Sequence, residues 1–471
     1  MFDIAVIGGG VTGAFVARSL VKYNLKVAIL EAGADVATGA SRANSGIVHA
    51  GFDAVTGSLK AKFNVLGNQM MEGVCRELGV KFRNNGSIVI TDSEEGVQGL
   101  TDLIRRGREN GVKDLSLLSA EEVKALEPNV TDNVVGALYA KTGGIVCPYG
   151  LTVAAVGNAM DNGASLFTEF KVVKVEGDTL VSEKGQEIKA KYVVNCAGNG
   201  AENIANLFGD YSFKLGRRKG EYILLDNASK GYVNTTVFTL PTKAGKGVLV
   251  TPTVDNNILV GPTSIEEELY DTSIRRNGFD ELKQKASLMC KNIPFQNTIT
   301  SFAGVRIYCD RHDFVIEESK VSQNLFNVVG IESPGLTSAP AIGEYVAEYV
   351  AKKFGASKNE NFNPNRRSYE FFKKMSIEEK NALIKERPEF GRIICRCEEV
   401  TLGEIIEAIR MNPPARTIDA VKLRTRAGMG RCQSGFCQPS VLQIIMDEYG
   451  IGMDEVTKNG GDSKVIVGGR K

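Results

Sequence analysis

The sequence contains only two histidines, His49 and His312, and 57 basic against 56 acidic residues leave a formal charge of +1. So even a balance removes any electrostatic case for nucleic acid or an anionic membrane as partner. No apolar run reaches the ~18 residues that span a bilayer. The opening MFDIAVIGGG has neither a basic n-region nor a small-residue cleavage site, so no secretory signal is expected. Together these absences predict a cytoplasmic protein, any membrane association running through a partner. In that compartment the nine cysteines are not expected to form disulfides. Cys75, Cys147, Cys196, Cys290 and Cys309 are scattered and read as small buried hydrophobes. Cys395, Cys397, Cys432 and Cys437 stand apart as C-x-C, 34 residues, then C-x4-C, and need a separate account.

A length of 471 residues suggests two or three domains. Hydrophobic content of 43% and charged content of 24% are globular values, which excludes a disordered chain or a fibre. The stretch FDIAVIGGGVTGAFVARSLVKYNLKVAILEAG reads as an apolar strand, a glycine turn, a helix with Ala14, Ala17, Leu20 and Val21 on one face, and a second buried strand. That is a β-α-β unit. Gly8, Gly10 and Gly13 form G-x-G-x-x-G: Gly8 permits the tight turn, Gly10 lets backbone approach a pyrophosphate, and Gly13 lets the helix pack on the strand. The helix N-terminus then faces the phosphates. Glu31, 18 residues past Gly13, stands where a carboxylate accepts ribose hydroxyls. The motif serves FAD and NAD alike. No second copy appears, so a second nucleotide is not expected and electrons must leave by another route.

Further along, GSIVITDSEEGVQGLTDLIRRGRENG reads as strand then helix, and SAEEVKALEP as a capped helix. FKVVKVEGDTLVSEKGQEIKAKYVVNCAG suggests a hairpin returning to the parallel sheet, and GVLVTPTVDNNILVGPTS a hairpin turning at Asp255, Asn256 and Asn257. Residues 356–391 are polar and read as a connector; residues 392–471 hold the clustered cysteines.

Three segments are informative about the nucleotide: GASRANSGIVHAG (39–51), VVNCAGNGA (193–201) and NVVGIESPGLTSAPAIGEYVA (327–347). In this order they resemble stretches of the glycine-oxidase/D-amino-acid-oxidase superfamily of FAD enzymes, over about residues 1–355. The resemblance implies a mixed α/β (α+β) fold. Its Rossmann-type FAD-binding domain would comprise 1–80, 150–210 and 325–355, and an antiparallel β-rich substrate domain mainly 81–149 and 211–324. It also implies that Ser41, Ser45 and Gly46 line the flavin, that Val173 contacts the adenine, and that Ala197 and Gly198 close over the pyrophosphate. Gly330 to Thr337, with Gly335 and Leu336, would lie at the pyrimidine end, where a helix N-terminus stabilises charge developing at N1.

The four clustered thiols suit zinc or an iron–sulfur centre. C-x-C is tight for a zinc knuckle and C-x4-C sits at its loose end, whereas iron–sulfur clusters accept varied spacings. The segment GRIICRCEEVTLGEIIEAIR…TIDAVKLRTRAGMGRCQSGFCQPSV resembles the bacterioferritin-associated-ferredoxin type of [2Fe-2S] domain, with TLGEIIEAI and CQPSVLQIIMDEYG as its amphipathic helices. The resemblance makes Cys395, Cys397, Cys432 and Cys437 the ligands. Arg424, Arg426 and Arg431 would offset the cluster's charge, and the Gly428, Gly430 and Gly435 amides would donate to sulfur.

An FAD domain with this tail is similar to the catalytic subunits of anaerobic glycerol-3-phosphate dehydrogenases. SGIVHAGFDAVTGSLKAKFNVLGN also resembles the L-2-hydroxyglutarate dehydrogenase/oxidase family. Phe52 and Asp53 occupy the region where aerobic glycerol-3-phosphate dehydrogenases carry an arginine, and Lys60 is the candidate replacement cation. In both families the arginine matching Arg306, in SFAGVRIYCDRHDFVIE, binds the substrate anion; a guanidinium fork suits carboxylate or phosphate. His49 and His312 are candidate general bases, His49 first, because imidazole exchanges protons near neutral pH. The expected enzyme oxidises a small anionic secondary alcohol by hydride transfer to flavin N5. Electrons then pass singly through the [2Fe-2S] centre to a flavoprotein, ferredoxin or quinone-linked subunit. sn-Glycerol 3-phosphate is the first expectation and L-2-hydroxyglutarate the second. Secondary-amine oxidation and a non-catalytic electron-transfer subunit are the other readings.

Overall fold

The computed structural model describes residues 1–240 and 247–468. Its first unit is β1 (Phe2–Ile7), α1 (Val11–Leu20) and β2 (Val27–Leu30). β1 pairs in parallel with β2 on one side and with Glu187–Asn195 on the other. Ser165–Phe167 extends the sheet beyond β2, and Leu325–Val329 extends it beyond Glu187–Asn195, both in parallel. The period-2 alternation of a strand explains why apolar residues fill both faces. Ile4 and Val6 pack in a core with Phe15 and with Ile342 and Val346 of the helix Gly335–Phe354. Ala5 and Ile7 pack on the opposite side with Ala201 and Ile204. Gly13 sits so close to strand β1 that a methyl there would overlap the Gly8 carbonyl.

The hairpin Val172–Glu176 and Thr179–Ser182 runs into Glu187–Asn195, as the alternation suggested. A second sheet of nine described strands is built on the long antiparallel pair Leu215–Leu225 and Thr298–Cys309. Its hairpin Leu249–Pro252 and Ile258–Gly261 turns through Asn256, which adopts φ 67°. The capped helix is Ala120–Leu126, with a Ser119–Glu122 capping box.

The connector is less plain than its polarity suggested. It contains the helices Phe371–Lys374 and Ile377–Glu386, the latter opened by a Ser376–Glu379 capping box. Phe371 and Phe372 pack on Phe390, just ahead of the last domain. In that domain the helices Leu402–Arg410, Ile418–Thr425 and Gln438–Tyr449 enclose Ile405, Val421 and Ile445. Among the described residues no helix is long and apolar enough to cross a membrane.

The C-terminal domain is pinned to the dinucleotide domain by charge. Arg424 makes a fork–fork pair with Asp35, at 2.7 and 2.8 Å, with the guanidinium wholly buried. Asp35 follows the Glu31 strand end, so the cysteine domain is tied to the nucleotide loop itself. Arg426 binds Asp255 and Glu398, and Arg431 binds Asp226. Burial pushes the Asp255 carboxyl up, but Arg426 and Lys81 outweigh it and hold it below the usual carboxylate range. These three arginines were expected to offset cluster charge; each is instead committed to a carboxylate. Arg424→Met leaves Asp35 buried and unpaired, and is expected to cost about 3–5 kcal/mol. Thermal unfolding of Arg424→Met beside the double variant Arg424→Met/Asp35→Leu checks this, since the double variant removes the stranded charge and should recover stability.

Candidate active site

The β1–α1 turn, the loop 38–49, the 196–199 turn and the 328–336 segment converge on one cavity of about 960 Å³. Gly8, Gly10 and Glu31 line it, with Val11 and Thr12 at the open N-terminus of α1. Gly10 caps that helix without a side chain, and the Ser41 hydroxyl accepts the Val11 N–H at 2.8 Å. Gly8 needs φ 110°, a conformation that glycine alone adopts readily. Glu31 accepts the Gly9 N–H at 2.6 Å and the Gly33 N–H at 2.7 Å. Burial pushes its carboxyl up, and those two amides work against the shift. Oε1 also accepts the Thr38 hydroxyl at 3.5 Å, so Oε2 is the oxygen that keeps a lone pair for a ribose hydroxyl. A helix N-terminus, a glycine cradle and a ribose-type acid in one elongated cavity fit a dinucleotide.

Ser45, Ala197, Gly198, Gly330, Gly335 and Leu336 also line the cavity. Four sequence-derived positions do not: Gly13, which packs the helix on the strand, and Val173, Gly46 and Thr337. Val173 is 43% exposed while Val172 is buried, because strand parity turns successive side chains to opposite faces. Gly46 lies behind the wall at φ 65°, its carbonyl accepting the Val146 N–H. Thr337 is fully buried; its hydroxyl accepts the His49 N–H at 2.9 Å and donates to the Ile47 carbonyl at 3.3 Å. Thr337 therefore holds the loop that presents His49.

At the opposite end the two long strands supply the charge. Their register sets Arg218 opposite Arg306, Gly220 opposite Gly304 and Tyr222 opposite Phe302. Period-2 alternation puts Arg218, Gly220 and Tyr222 on one face, and the two glycines let Pro262 and the Ala43 carbonyl pack against the strand pair between the guanidiniums and the rings. Tyr222 stacks on Phe302 at 4.8 Å. Burial pushes its phenol up, with Arg306 and a hydrogen bond to Ser45 working against it. Arg306 lines the cavity, donates Nη2–H to the Thr263 carbonyl at 2.9 Å, and keeps a buried Nε without a hydrogen-bond partner among the described residues. Arg218 also lines it and is held by Glu266 at 2.7 Å.

His49 Nε2 lies 3.3 Å from the Ser333 hydroxyl, and its ring faces Phe238 at 6.1 Å. His312 lines the cavity at an exposed position with φ 59°. Lys60 lines the same wall, but its ammonium is paired with Glu332 at 2.7 Å and bonds the His312 carbonyl. Arg218 and Tyr222 were not singled out from the sequence, and Glu332 and Ser333 only as part of the Gly330–Thr337 stretch. The alternation of RRKGEYILL was a signal for Arg218 and Tyr222; nothing local pointed to the Lys60–Glu332 pair.

The four clustered cysteines meet as two pairs. Cys397 and Cys432 place their sulfurs 3.8 Å apart, and Cys437 packs against Cys395. A separation of about 3.8 Å is that of two sulfurs on one tetrahedral metal with bonds of about 2.3 Å. Four thiolates in two pairs match the ligand count of a [2Fe-2S] centre, two for each iron. Cys395 and Cys437 are buried, Cys397 is exposed. The Cys432 thiol is held below its ordinary value chiefly by the Phe436 amide, with the Ser434 and Gly435 amides adding to it. Those are donors of the kind that stabilise a metal-bound thiolate. Gly430 serves differently from expectation: a methyl there would overlap Cys397 Cβ. Burial pushes the Cys75, Cys147 and Cys290 thiols up to about 12, in keeping with inert hydrophobes.

Residues 3–349 match the family "FAD dependent oxidoreductase". The chain belongs to that family. Residues 393–447 match the "BFD-like [2Fe-2S] binding domain", so this FAD-dependent oxidoreductase carries a second redox cofactor in its C-terminal domain. Over its whole length the chain is 45% identical to a glycerol 3-phosphate dehydrogenase of Caloramator mitchellensis, covering 99% of that protein. An L-2-hydroxyglutarate dehydrogenase of Pongo abelii is 27% identical over 75% of this chain and 88% of its own. Among solved structures, the FAD-bound L-alpha-glycerophosphate oxidase of Mycoplasma pneumoniae superposes with a TM-score of 0.73 at 29% identity, over 78% of this chain and 98% of that one.

Proposed function

We propose that this FAD-dependent oxidoreductase oxidises sn-glycerol 3-phosphate to dihydroxyacetone phosphate. The observation that carries the reading is Arg306, a half-buried guanidinium on the cavity wall that donates to the Thr263 carbonyl and whose buried Nε has no hydrogen-bond partner among the described residues. A buried donor left unmade is costly, and an anionic substrate group satisfies it. Relatives with this domain pair or this fold act on glycerol phosphates, and a phosphate offers more acceptor oxygens to a guanidinium fork than a carboxylate does.

FAD, held by Gly8, Gly10, Ser41 and Glu31, supplies the hydride acceptor. Arg306 holds the substrate phosphate and so fixes the reacting carbon; Tyr222, stacked on Phe302, forms the wall beside it. His49 Nε2 takes the proton from the substrate hydroxyl, and Ser333 orients that ring. The N-terminus of Gly335–Phe354, reached through Gly330 and Leu336, presents backbone N–H groups at the cavity. Cys395, Cys397, Cys432 and Cys437 hold the [2Fe-2S] cluster, the one-electron exit toward a separate redox protein.

Lys60 contributes less than its charge suggests, because Glu332 already neutralises it. Lys60→Met is expected to raise KM for glycerol 3-phosphate by no more than about threefold, as for a partly exposed ion pair. A tenfold rise would place its ammonium on the substrate. The substrate itself is tested by anaerobic stopped-flow bleaching of the flavin with sn-glycerol 3-phosphate, L-2-hydroxyglutarate and N-methyl amino acids. The reading requires rapid bleaching by glycerol 3-phosphate alone. Faster bleaching by either of the other classes overturns it.

A further inference from the structure

The outer pair of cluster thiols opens onto a surface that the enzyme's own fold leaves uncovered. Cys397 is exposed, and the Phe436 amide reaches the Cys432 sulfur while the Phe436 ring is 87% exposed. A phenylalanine next to buried Cys437 that turns outward instead of joining that core is unusual for a small domain. Ile393, on the strand that leads into Cys395, is 56% exposed. Arg392, Arg396 and Arg431 adjoin Ile393, Cys397 and Cys432 in the chain, while Glu398 of the same turn is held by Arg426 and Glu399 is exposed. Arg431 already binds Asp226 at the domain junction, but Arg392 and Arg396 are exposed and have no ion-pair partner among the described residues. The chain as a whole is nearly neutral, so these exposed arginines are a local feature.

We propose that this rim, centred on Phe436 and Arg396, is the docking surface for a one-electron redox protein with an acidic face. The inference rests on the reading of the cluster as the electron exit. An apolar tip flanked by exposed arginines is the layout of a transient interface: the arginines steer encounter with an oppositely charged partner, and the aromatic fixes it at contact. The thiol pair beneath is the exposed edge of the cluster site, while Cys395 and Cys437 face inward. Transfer here makes and breaks no bond: one electron leaves the reduced cluster and the partner's metal is reduced by one unit.

The test uses the holoenzyme reduced with stoichiometric dithionite, so it does not depend on which alcohol is the substrate. Two probe acceptors are compared: plastocyanin, a copper protein with an acidic face, and cytochrome c, whose face is basic. Wild type should reduce plastocyanin faster than cytochrome c, and the advantage should shrink as salt is added. Arg392→Glu/Arg396→Glu should slow plastocyanin reduction about tenfold or more and remove the salt dependence. Phe436→Ala should slow it about tenfold with the salt dependence retained. Iron content, cluster absorbance and bleaching of the flavin by glycerol 3-phosphate should be unchanged in the arginine variant; Phe436→Ala keeps the backbone amide that faces Cys432, and its rate is compared per iron bound. Equal plastocyanin rates in all three proteins, or a wild-type preference for cytochrome c, would overturn the proposal. So would a wild-type dimer that Phe436→Ala dissociates, because a second copy would then cover the face. A flavin that glycerol 3-phosphate leaves oxidised, with the dithionite experiment intact, would count against the substrate reading alone.

Discussion

Arg306→Leu is expected to lower kcat/KM for glycerol 3-phosphate by about a thousandfold, or about 4 kcal/mol, the range for removing one partner of a buried, charge-assisted contact. The size follows from the site. Among the described residues Arg306 donates one hydrogen bond, to the Thr263 carbonyl, and its buried Nε has no partner. Leucine keeps much of the apolar stem, so the strand pair Leu215–Leu225 and Thr298–Cys309 should survive. The loss should appear in both KM and kcat, because the same contact binds the phosphate and positions the reacting carbon. FAD content and reduction by dithionite should match wild type. A change below tenfold would mean that Arg306 faces the nucleotide or the protein and not the substrate.

Cys397→Ala should abolish the cluster while leaving the flavin chemistry in place. Cys397 is exposed and contributes nothing to the core around Val421, so its loss does not unfold the domain. It removes one of the two thiolates of the outer pair, and one iron would lose a ligand. Elemental iron should fall to near background, and reduction of one-electron protein acceptors should drop by about a hundredfold or more. Bleaching of the flavin by substrate should keep its rate. If the variant instead retains stoichiometric iron, the ligand set includes a residue other than these four. If flavin bleaching slows in parallel, the two cofactor sites are coupled through structure, and the Asp35–Arg424 contact is the place where that coupling would run.

Sequence and structure agree most closely where a feature is local. The β1–α1–β2 unit with Gly8, Gly10, Gly13 and Glu31 was legible because each signal lies within some 30 residues and has one physical reading. The capped helix Ala120–Leu126 and the C-terminal helices were legible for the same reason. The connector was underread: S-I-E-E at 376–379 is a capping box, and it opens the helix Ile377–Glu386. The Val173 side chain lies outside the cavity, on the exposed face of its strand, and no composition rule sets strand parity without knowing which face meets the core. The substrate end was legible only in part. Arg306 stood out by resemblance, but Arg218 and Tyr222 matter because strand register brings them opposite Arg306 and Phe302, and register between strands some 80 residues apart is not written in either strand alone. The arginines near the cysteines illustrate the same limit. Their charge was plain, but their partners Asp35, Asp226 and Asp255 lie in another domain.

The most direct measurement is an anaerobic titration of the reconstituted enzyme with sn-glycerol 3-phosphate, following flavin absorbance and the electron paramagnetic resonance of the iron–sulfur centre in the same samples. The account predicts that the flavin band bleaches and that a reduced [2Fe-2S] signal grows in the same titration without added reductant. A protein that binds flavin and iron but shows neither change with this substrate, while responding to dithionite, would contradict it.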